Sequence, residues 1–262
     1  MNVSFYLIRH GKTVLNQQHQ VQGWCDSPLI DEGVEAARAA GRKLAGVEFV
    51  RAIASDKGRT CQTLAELLDA RDEARGQTPS APLPKAPDAS PSTQGAARYL
   101  ETLGQALAAN EPRSANGLPL LTDWRLREWC YGDLEMRSGD ELHRRLTEGF
   151  GKELTFAQEN EHLPETADNL ARLDRSGRAE RFADIEARVR SFLKEAGDAT
   201  LAAGGGNVLA VTHAFTIRTI MYLYDRARIN EPLRILNGSI TRVDYDGKSF
   251  VLRYAGAPEP LG

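Results

Sequence analysis

The chain has 262 residues, of which 41% are hydrophobic and 26% are charged. These proportions are those of an ordinary globular protein, and the length suffices for one large α/β domain or two small ones. The formal net charge of −3 provides no overall attraction to nucleic acid or to an anionic membrane, so we predict neither as a partner. Any binding of an anion must therefore depend on a local cluster of positive side chains.

The cysteines and the N-terminal segment indicate the compartment. Cys25, Cys61 and Cys130 are scattered and lack the spacing of a metal site. Their low, odd number argues against a secreted, disulfide-stabilised protein. The apolar run from Val3 to Ile8 has no basic segment before it and is too short for a signal peptide or a membrane span, and no later run is long enough either. We therefore expect a cytoplasmic protein.

The beginning of the chain alternates between strand and helix patterns. Residues 3–8 are rich in β-branched and aromatic side chains and predict a buried strand, and residues 49–54 predict a second one. A helix is predicted from Asp31, and another after residues 55–56, which we expect to cap it. Such alternation favours a mainly parallel sheet covered by helices.

The middle of the chain is less regular. Residues 72–95 are rich in Pro, Ala and Ser and predict a long loop or insertion. Residues 96–107 predict a short helix and residues 118–121 a short strand. Residues 136–178 are polar and have helical propensity, so they predict a helical cap.

The last third of the chain predicts two further helices and the remaining strands of the sheet. Residues 181–196 form the most regular amphipathic pattern of the chain and predict a helix. Residues 208–212 predict a strand, and residues 217–224 a helix after it. Residues 240–245 and 250–254 flank an Asp-Gly pair and predict a terminal hairpin.

Together these elements predict an α/β fold, namely a three-layer α/β/α sandwich with a mainly parallel central sheet and helical cap insertions. The sequence contains no internal repeat and no proline-rich linker long enough to require a second independent domain. We therefore expect residues 1–262 to form a single domain, with insertions at about residues 72–117 and 136–178.

Two of the predicted strands end in histidine, at His10 and at His213. Because ligands bind at the carboxyl ends of strands in open α/β sheets, we expect these side chains to meet there. Arg9 precedes the first histidine, and Arg59 lies in the first turn of a helix that follows a strand; both guanidiniums would favour a doubly charged phosphate. A neutral imidazole can attack phosphorus, and adjacent arginines disfavour its protonation. This pattern predicts a phosphate site with a histidine nucleophile.

Hydrolysis of a phosphoester also needs a proton for the leaving alkoxide and later a base for water. Glu128, in a loop-like stretch among aromatic residues, is the predicted acid, because partial burial beside a phosphate would raise its pKa. Glu135 and Glu141 are the alternatives. Asn16, on the loop after the first histidine, is predicted either to donate an amide N–H to the substrate or to cap a turn.

A structural role and metal binding are the other interpretations of the paired histidines. A lone histidine is usually structural, and we predict surface or loop positions for His19, His143 and His162. For His10 and His213 we prefer catalysis, because arginine neighbours one of them and both end strands. Arginines would repel a metal ion, and no acidic residues complete a metal site, so we predict no metal.

Four motifs, spread in order over nearly the whole chain, resemble those of the histidine phosphatase superfamily, in the branch that contains cofactor-dependent phosphoglycerate mutase. The matching segments are residues 7–13 with Asn16, which continue through 22–29 with Gly33, then 55–63 with Arg59, 126–132 with Glu128, and 208–213 with Arg218. The resemblance implies that His10 is the phospho-accepting nucleophile and that Glu128 is the acid and then the base. It further implies that Arg9, Arg59 and His213 hold the phosphoryl group.

The same resemblance suggests four substrate contacts. Asn16 and Gly23 would contact the substrate or its phosphate, and Trp24 lies in the same motif loop, where it would line the pocket. Ala214 stands where the family usually has glycine after the late histidine. Its backbone amide can still donate a hydrogen bond, although with less room.

Departures from the motifs bear on the reaction. Lys12 replaces a commoner glutamate and leaves the nucleophile untouched. Residues 132–137 do not reproduce the basic cluster with which the mutases bind a glycerate, and residues 22–29 look more like those of the phosphatase members. The sequence therefore favours a phosphatase.

We expect a phosphatase that hydrolyses small phosphomonoesters through a phosphohistidine, without a metal or other cofactor. The first alternative is a phosphoglycerate mutase, which would need a 2,3-bisphosphoglycerate primer. The second is a non-catalytic module that binds a phosphorylated ligand. The expected partner is in each case a phosphorylated small molecule, and the sequence makes no prediction of oligomeric state.

Overall fold

A computed structural model describes residues 1–78 and 117–257 of the chain. At its centre is a six-stranded sheet with the strand order β3-β2-β4-β1-β5-β6. The strands are β1 (Val3–Arg9), β2 (Phe49–Ala54), β3 (Leu120–Thr122), β4 (Gly206–Thr212), β5 (Ile240–Tyr245) and β6 (Phe250–Ala257). The α-helices of the described ranges are α1 (Val14–Gln17), α2 (Asp31–Lys43), α3 (Gly58–Ala74), α4 (Gly139–Phe150), α5 (Phe156–Glu161), α6 (Leu163–Leu173), α7 (Phe182–Ala202) and α8 (Ala214–Tyr224).

The sheet is mixed but mainly parallel. β3, β2, β4 and β1 run parallel to one another, while β5 runs antiparallel to β1 and β6 runs antiparallel to β5. Helices flank both faces. The predicted α/β sandwich with a mainly parallel sheet is therefore confirmed.

Alternate side chains of β1 enter two different cores. Phe5 and Leu7 pack in the core that contains apolar residues of α7 and α8, whereas Tyr6 and Ile8 pack in the core that contains residues of α2 and α3. This alternation follows from the two-residue period of a strand, and burial on both faces is typical of parallel sheets. The two cores and the sheet between them make the three layers.

The predicted strands and the terminal hairpin are confirmed, with shifts of a few residues at their ends. The predicted loop from residue 72 begins too early, because α3 continues to Ala74. The reason is burial: Arg71 and Asp72 are each only 2% exposed, and the Arg71 guanidinium donates to the Val47 carbonyl at 2.7 Å. The predicted helix at 96–107 lies outside the described residues.

The stretch between β3 and α7 contains the helices α4, α5 and α6, as the helical propensity of this stretch predicted. Local capping defines where two of them begin. Ser138 accepts a hydrogen bond from the backbone N–H of Glu141 at the start of α4, and Thr155 accepts one from Gln158 at the start of α5. α6 contacts both α4 and α7, which attaches this group to the sheet layers. Within the described ranges, no helix is long and apolar enough to cross a membrane.

Candidate active site

The register of β1 and β4 brings the two predicted histidines together. Arg9 pairs with Thr212 at the ends of these parallel strands, so His10 and His213 are the next residue on each. The backbone N–H of His10 donates to the Thr212 carbonyl at 3.0 Å. The imidazole centroids are 5.1 Å apart, with the rings inclined at 63°.

The hydrogen bonding of His10 defines its tautomer. Its Nδ1 lies 2.8 Å from the carbonyl oxygen of Gly11, which can only accept, so the ring proton is on Nδ1 and Nε2 carries a lone pair. Burial, then the charges of Arg59 and Arg9, hold the pKa of His10 well below the usual 6.5. The ring is therefore neutral at physiological pH, as a nucleophile must be.

His213 adopts the opposite tautomer. Its Nδ1 lies 3.0 Å from an Nη atom of Arg59; because a guanidinium only donates, Nδ1 accepts and the ring proton is on Nε2. This buried Nε2 has no hydrogen-bond partner in the described part of the chain. Burial and the charge of Arg59 also hold the pKa of His213 well below 6.5. The site thus has one imidazole that can attack and one that can donate.

Arg59 is fully buried at the start of α3. Its guanidinium donates to the carbonyls of Gly23 and Cys25, each at 2.7 Å, and to the carboxylate of Asp26 at 3.1 Å. These bonds hold the guanidinium beside His213, while its Nε has no partner among the described residues. The loop before α2 therefore positions an arginine of α3.

The start of α3 is capped by a residue distant in sequence. Asp26 accepts a hydrogen bond from the backbone N–H of Gly58 at 2.5 Å, so its charge lies at the positive end of the helix. The predicted cap at residues 55–56 is wrong, because the Asp56 carboxylate instead pairs with Arg127, at 2.7 Å from its Nε. Sequence analysis missed Asp26; the one available signal was its place in a motif loop.

Arg9 lies at the end of β1 and directs Nη1 to the carbonyl of Ile235, at 2.5 Å. Burial is the main cause that lowers its pKa to about 10, so it still carries its charge at neutral pH. Asn237, which sequence analysis missed, donates from Nδ2 to the carbonyl of His10 at 2.8 Å. The segment before β5 thus holds Arg9 and the backbone of His10 in place through these two hydrogen bonds.

Glu128 is 5% exposed. It lies at the amino end of α8, the helix that begins directly after His213. Its carboxylate accepts hydrogen bonds from three backbone N–H groups, those of Trp129 (3.1 Å), Phe215 (3.0 Å) and Thr216 (3.0 Å). Burial raises the pKa of Glu128, and these hydrogen bonds and the charges of Arg59 and Arg9 oppose that rise only in part. A carboxyl group with a raised pKa beside the two histidines is suited to proton transfer.

The Glu135 carboxylate is engaged elsewhere. It accepts hydrogen bonds from four backbone N–H groups, those of Gly23 (3.0 Å), Trp24 (2.9 Å), Cys25 (2.9 Å) and Tyr131 (3.0 Å). Burial acts to raise the pKa of Glu135, but the hydrogen bonds from Cys25, Tyr131 and Trp24 outweigh it, and the pKa lies below its usual value. Glu135 therefore anchors the loop that positions Arg59.

Replacing Glu135 by glutamine should lower the free energy of unfolding by about 2–3 kcal/mol near neutral pH, because a charged acceptor of buried hydrogen bonds is lost. Since folding lowers the pKa of Glu135, the stabilisation that its carboxylate provides is complete above pH 4.5, the usual pKa of a glutamate. That stabilisation is lost as the pH falls through the pKa of Glu135 in the folded protein. Urea unfolding should show the gap between wild type and Glu135→Gln narrowing in acid. The exposed Glu148→Gln is the control, and a gap that does not depend on pH would contradict this role.

Gly23 lies too close to its surroundings for any larger residue. A Cβ built on it would lie 2.1 Å from the carbonyl oxygen of Trp129 and 2.4 Å from a carboxylate oxygen of Glu135. Its N–H donates to Glu135 and its carbonyl accepts from Arg59. Both backbone groups thus have protein partners, and a contact between Gly23 and a substrate stays a prediction.

Three further residues were predicted to contact the substrate, namely Asn16, Trp24 and Ala214. Asn16 forms a reciprocal capping box with Thr13 at the start of α1. This agrees with the alternative prediction that Asn16 caps a turn. The Trp24 indole donates to the carbonyl of Glu128 at 3.0 Å. Ala214 is the first residue of α8. Their contacts with a substrate stay predictions.

Two cavities adjoin the site. The smaller, about 180 Å³, is bordered by Arg9 and Ala214. The larger, about 500 Å³, extends under α4 and α5 and has aromatic walls that include Trp129, Tyr131 and Phe215. Their volumes together are those of a site for a small organic molecule. In residues 1–78 and 117–257 no group of three or more His, Cys, Asp or Glu side chains is arranged to hold a metal ion.

His10 and His213 directly follow two adjacent parallel strands, β1 and β4. The motifs implied this arrangement. The family model of the histidine phosphatase superfamily (branch 1) matches residues 5–79 and 97–257. The chain therefore belongs to branch 1 of the histidine phosphatase superfamily.

Individual relatives include proteins named as mutases and as phosphatases. A probable phosphoglycerate mutase GpmB of Enterobacter sp. (strain 638) is 27% identical over 244 residues, which cover 92% of this chain and 84% of the relative. The crystal structure of phosphoglycerate mutase from Bacillus anthracis str. Sterne has a TM-score of 0.76 at 25% identity and covers 98% of this chain and 94% of its own. The putative alpha-ribazole-5'-P phosphatase of Escherichia coli str. K-12 substr. MG1655, with a TM-score of 0.59, 20% identity and coverage of 99% and 98%, shares the fold.

Proposed function

We propose that this protein is a phosphatase that hydrolyses small phosphomonoesters through a phosphohistidine on His10. The observation that carries the proposal is the pair of opposite tautomers, in which His10 presents a lone pair on Nε2 and His213 presents a proton on Nε2. Because burial and nearby arginines keep both rings neutral, no prior deprotonation is needed at neutral pH. Family membership supports a phosphorylated small molecule as the ligand.

The first step transfers the phosphoryl group to the protein. The Nε2 lone pair of His10 forms a bond to phosphorus while the bond from phosphorus to the ester oxygen breaks, and the leaving alkoxide takes a proton from Glu128. The phosphoryl oxygens receive hydrogen bonds from the guanidiniums of Arg9 and Arg59 and from Nε2 of His213. These donors are fixed before the substrate binds, which is the condition for electrostatic stabilisation of a transition state.

The second step returns the protein to its starting state. The Glu128 carboxylate takes a proton from a water molecule, whose oxygen attacks phosphorus as the bond to Nε2 of His10 breaks. Inorganic phosphate leaves, and Glu128 is protonated again. A hydroxyl group of a second molecule in place of the water would give a mutase or a transferase instead, so the same residues serve either reaction.

Phosphoglycerate mutase is the second candidate, and the names of the GpmB relatives and of the Bacillus anthracis structure favour it. The enzyme should be incubated with 3-phosphoglycerate, with and without 2,3-bisphosphoglycerate, and in parallel with a panel of sugar, nucleotide and aryl phosphates. For a phosphatase we expect release of inorganic phosphate from members of the panel without any primer. Primer-dependent formation of the 2-phospho isomer without free phosphate would instead identify a mutase, and inertness toward every ester would reject both.

A further inference from the structure

Backbone carbonyls at and before Glu128 converge on one buried arginine of a distant helix. Arg188 lies in α7 and is 4% exposed. Its Nη1 donates to the carbonyls of Arg125 (2.8 Å) and Arg127 (2.7 Å), and its Nη2 donates to the carbonyl of Glu128 (3.0 Å). A side chain 60 residues away in sequence therefore holds the backbone from which the proposed acid projects.

Glu180, just before α7, takes up the remaining donors of Arg188. Its Oε1 accepts from Nε at 2.7 Å and its Oε2 accepts from Nη2 at 3.0 Å, in an ion pair whose side chains are 3% and 12% exposed. Oε2 also accepts from the backbone N–H of Cys130 at 2.9 Å. The ion pair thus holds the chain on both sides of Glu128, through carbonyls at and before it and through an N–H after it.

This arrangement uses every donor of the guanidinium. An arginine has five N–H groups in a rigid planar fork, and those of Arg188 all meet an oxygen atom. A lysine has three N–H groups on a single atom, so it cannot reach the same five acceptors. The contact therefore depends on the shape of the guanidinium as well as on its charge.

The position of residues 125–130 determines where the Glu128 carboxyl group lies. That carboxyl group connects this segment to the start of α8 through hydrogen bonds from the backbone of Phe215 and Thr216. The Thr216 hydroxyl adds a second connection, to the carbonyl of Arg127 at 2.8 Å. A displacement of the segment would therefore move the carboxyl group relative to the two histidines.

The donors to the phosphoryl group are held by other parts of the chain. Arg9 donates to the carbonyl of Ile235, and Arg59 donates to those of Gly23 and Cys25. Loosening the segment that carries the acid would thus leave these guanidiniums in place. Proton transfer and binding of the phosphoryl group should therefore respond differently to a change at α7.

We propose that Arg188, together with Glu180, is a positioning residue for proton transfer, which holds the Glu128 carboxyl group where it can protonate the leaving oxygen. This inference rests on the proposed function and adds to it a pair of residues outside the four motifs. A purely structural role would lower activity on every ester alike, whereas a positioning role depends on how much the leaving group needs a proton.

The variant that tests this should keep the charge. After burial, Arg59 and His10, the charge of Arg188 is a further cause that lowers the pKa of His213, so a neutral replacement would alter two groups at once. Arg188→Lys retains the charge beside Glu180 and removes donors to the carbonyls. We would measure its kcat on an alkyl phosphate and on p-nitrophenyl phosphate, and its Kd for inorganic phosphate by calorimetry.

We expect kcat of Arg188→Lys to fall about 30-fold for the alkyl ester and only about threefold for p-nitrophenyl phosphate, because the aryl leaving group needs little protonation. Its Kd for inorganic phosphate should stay within about twofold of the wild-type value, which also shows that the site is folded. In a Glu128→Gln background, Arg188→Lys should add no further contrast between the esters, since the group that it positions is already gone.

Arg190→Lys is the matched control, because Arg190 also lies on α7 and pairs with a glutamate, at 2.6 Å from Glu186, but is exposed. It should behave as the wild type. If Arg188→Lys does not fold, Glu180→Gln takes its place with the same expected contrast, since it removes the charge that anchors the guanidinium. Equal losses on the two esters, or a contrast that persists in the Glu128→Gln background, would overturn the positioning role.

A readout without turnover separates this inference from the proposed function. If the wild type hydrolyses neither ester, the proposed function fails, and the titration of the Glu128 carboxyl group, followed by carbon-13 NMR, decides the inference. Because burial raises the pKa of Glu128 above the usual 4.5, loosening the segment in Arg188→Lys should lower that pKa toward 4.5. An unchanged pKa would overturn the role of Arg188.

Discussion

Replacement of His10 by alanine is expected to abolish turnover, with a loss of kcat of about four orders of magnitude or more. The reason is that His10 supplies the only described imidazole nitrogen with a free lone pair at the joined ends of β1 and β4, since the Nδ1 of His213 accepts from Arg59. Without a covalent acceptor the remaining donors can only bind the phosphoryl group. The measurement is steady-state phosphate release from an ester that the wild type hydrolyses.

The same variant gives a direct test of the intermediate. Brief incubation of the wild type with substrate labelled in the phosphoryl group should transfer label to the protein, and the bond should be labile in acid and stable in alkali, as expected of a phosphoramidate. His10→Ala should take up no label. Retention of normal activity by His10→Ala would remove the mechanism.

His19→Asn is the appropriate control for this experiment. His19 is exposed and has a φ of 54°, a backbone conformation that asparagine tolerates better than most residues. We expect its activity and labelling to equal those of the wild type. A parallel loss in this variant would show that the effect of His10→Ala comes from general damage to the fold.

Glu128→Gln should lower kcat by about 100-fold or more for an alkyl phosphate, because the poor leaving group depends on a proton donor. For p-nitrophenyl phosphate, whose leaving group needs little protonation, the loss should be much smaller. Glutamine has nearly the shape of the acid, and its single carbonyl oxygen can replace the oxygen that accepts from Trp129 and Thr216. Its NH2 group then replaces the oxygen that accepts from Phe215, so one hydrogen bond at the start of α8 is lost, and this loss should affect both substrates equally. This contrast between substrates separates proton donation from binding.

The pH profile provides a second readout for Glu128. Because burial raises its pKa, the acid form persists above the usual carboxyl range, and wild-type kcat/KM should fall as pH rises through that pKa. On the acid side the rate should be maintained, since the pKa of His10 lies well below 6.5. In Glu128→Gln the fall at high pH should be absent. Glu141→Gln, which alters an alternative acid on α4, should keep the wild-type profile.

An unchanged dependence on pH and on leaving group in Glu128→Gln would contradict the role of Glu128. The proton donor would then have to be another group at the site. Glu135 is poorly suited, because four backbone N–H groups hold its ionised form. In that event the candidate that remains at the site is the proton on Nε2 of His213.

Local patterns in the sequence were enough to predict the strands, the mainly parallel sheet and the convergence of His10, Arg59 and His213. The pattern of a strand can be recognised within about six residues. In a parallel sheet the residues that follow the strands lie at the same edge, and this does not depend on the conformation of the loops. The motif order then indicated the family. These features depend on short segments, so a single sequence contains the information.

Tertiary structure alone decided the features that depend on contacts between distant residues. Asp26 caps a helix that begins 32 residues later, and Glu135 holds the backbone of Gly23 across 112 residues; neither contact leaves a local pattern. The tautomers of the two histidines are of the same kind. The sequence by itself determined which groups would reach the edge of the sheet, and the packing of separate segments decided which of them donate, accept or remain without a partner, because a hydrogen bond depends on geometry that only the folded chain supplies.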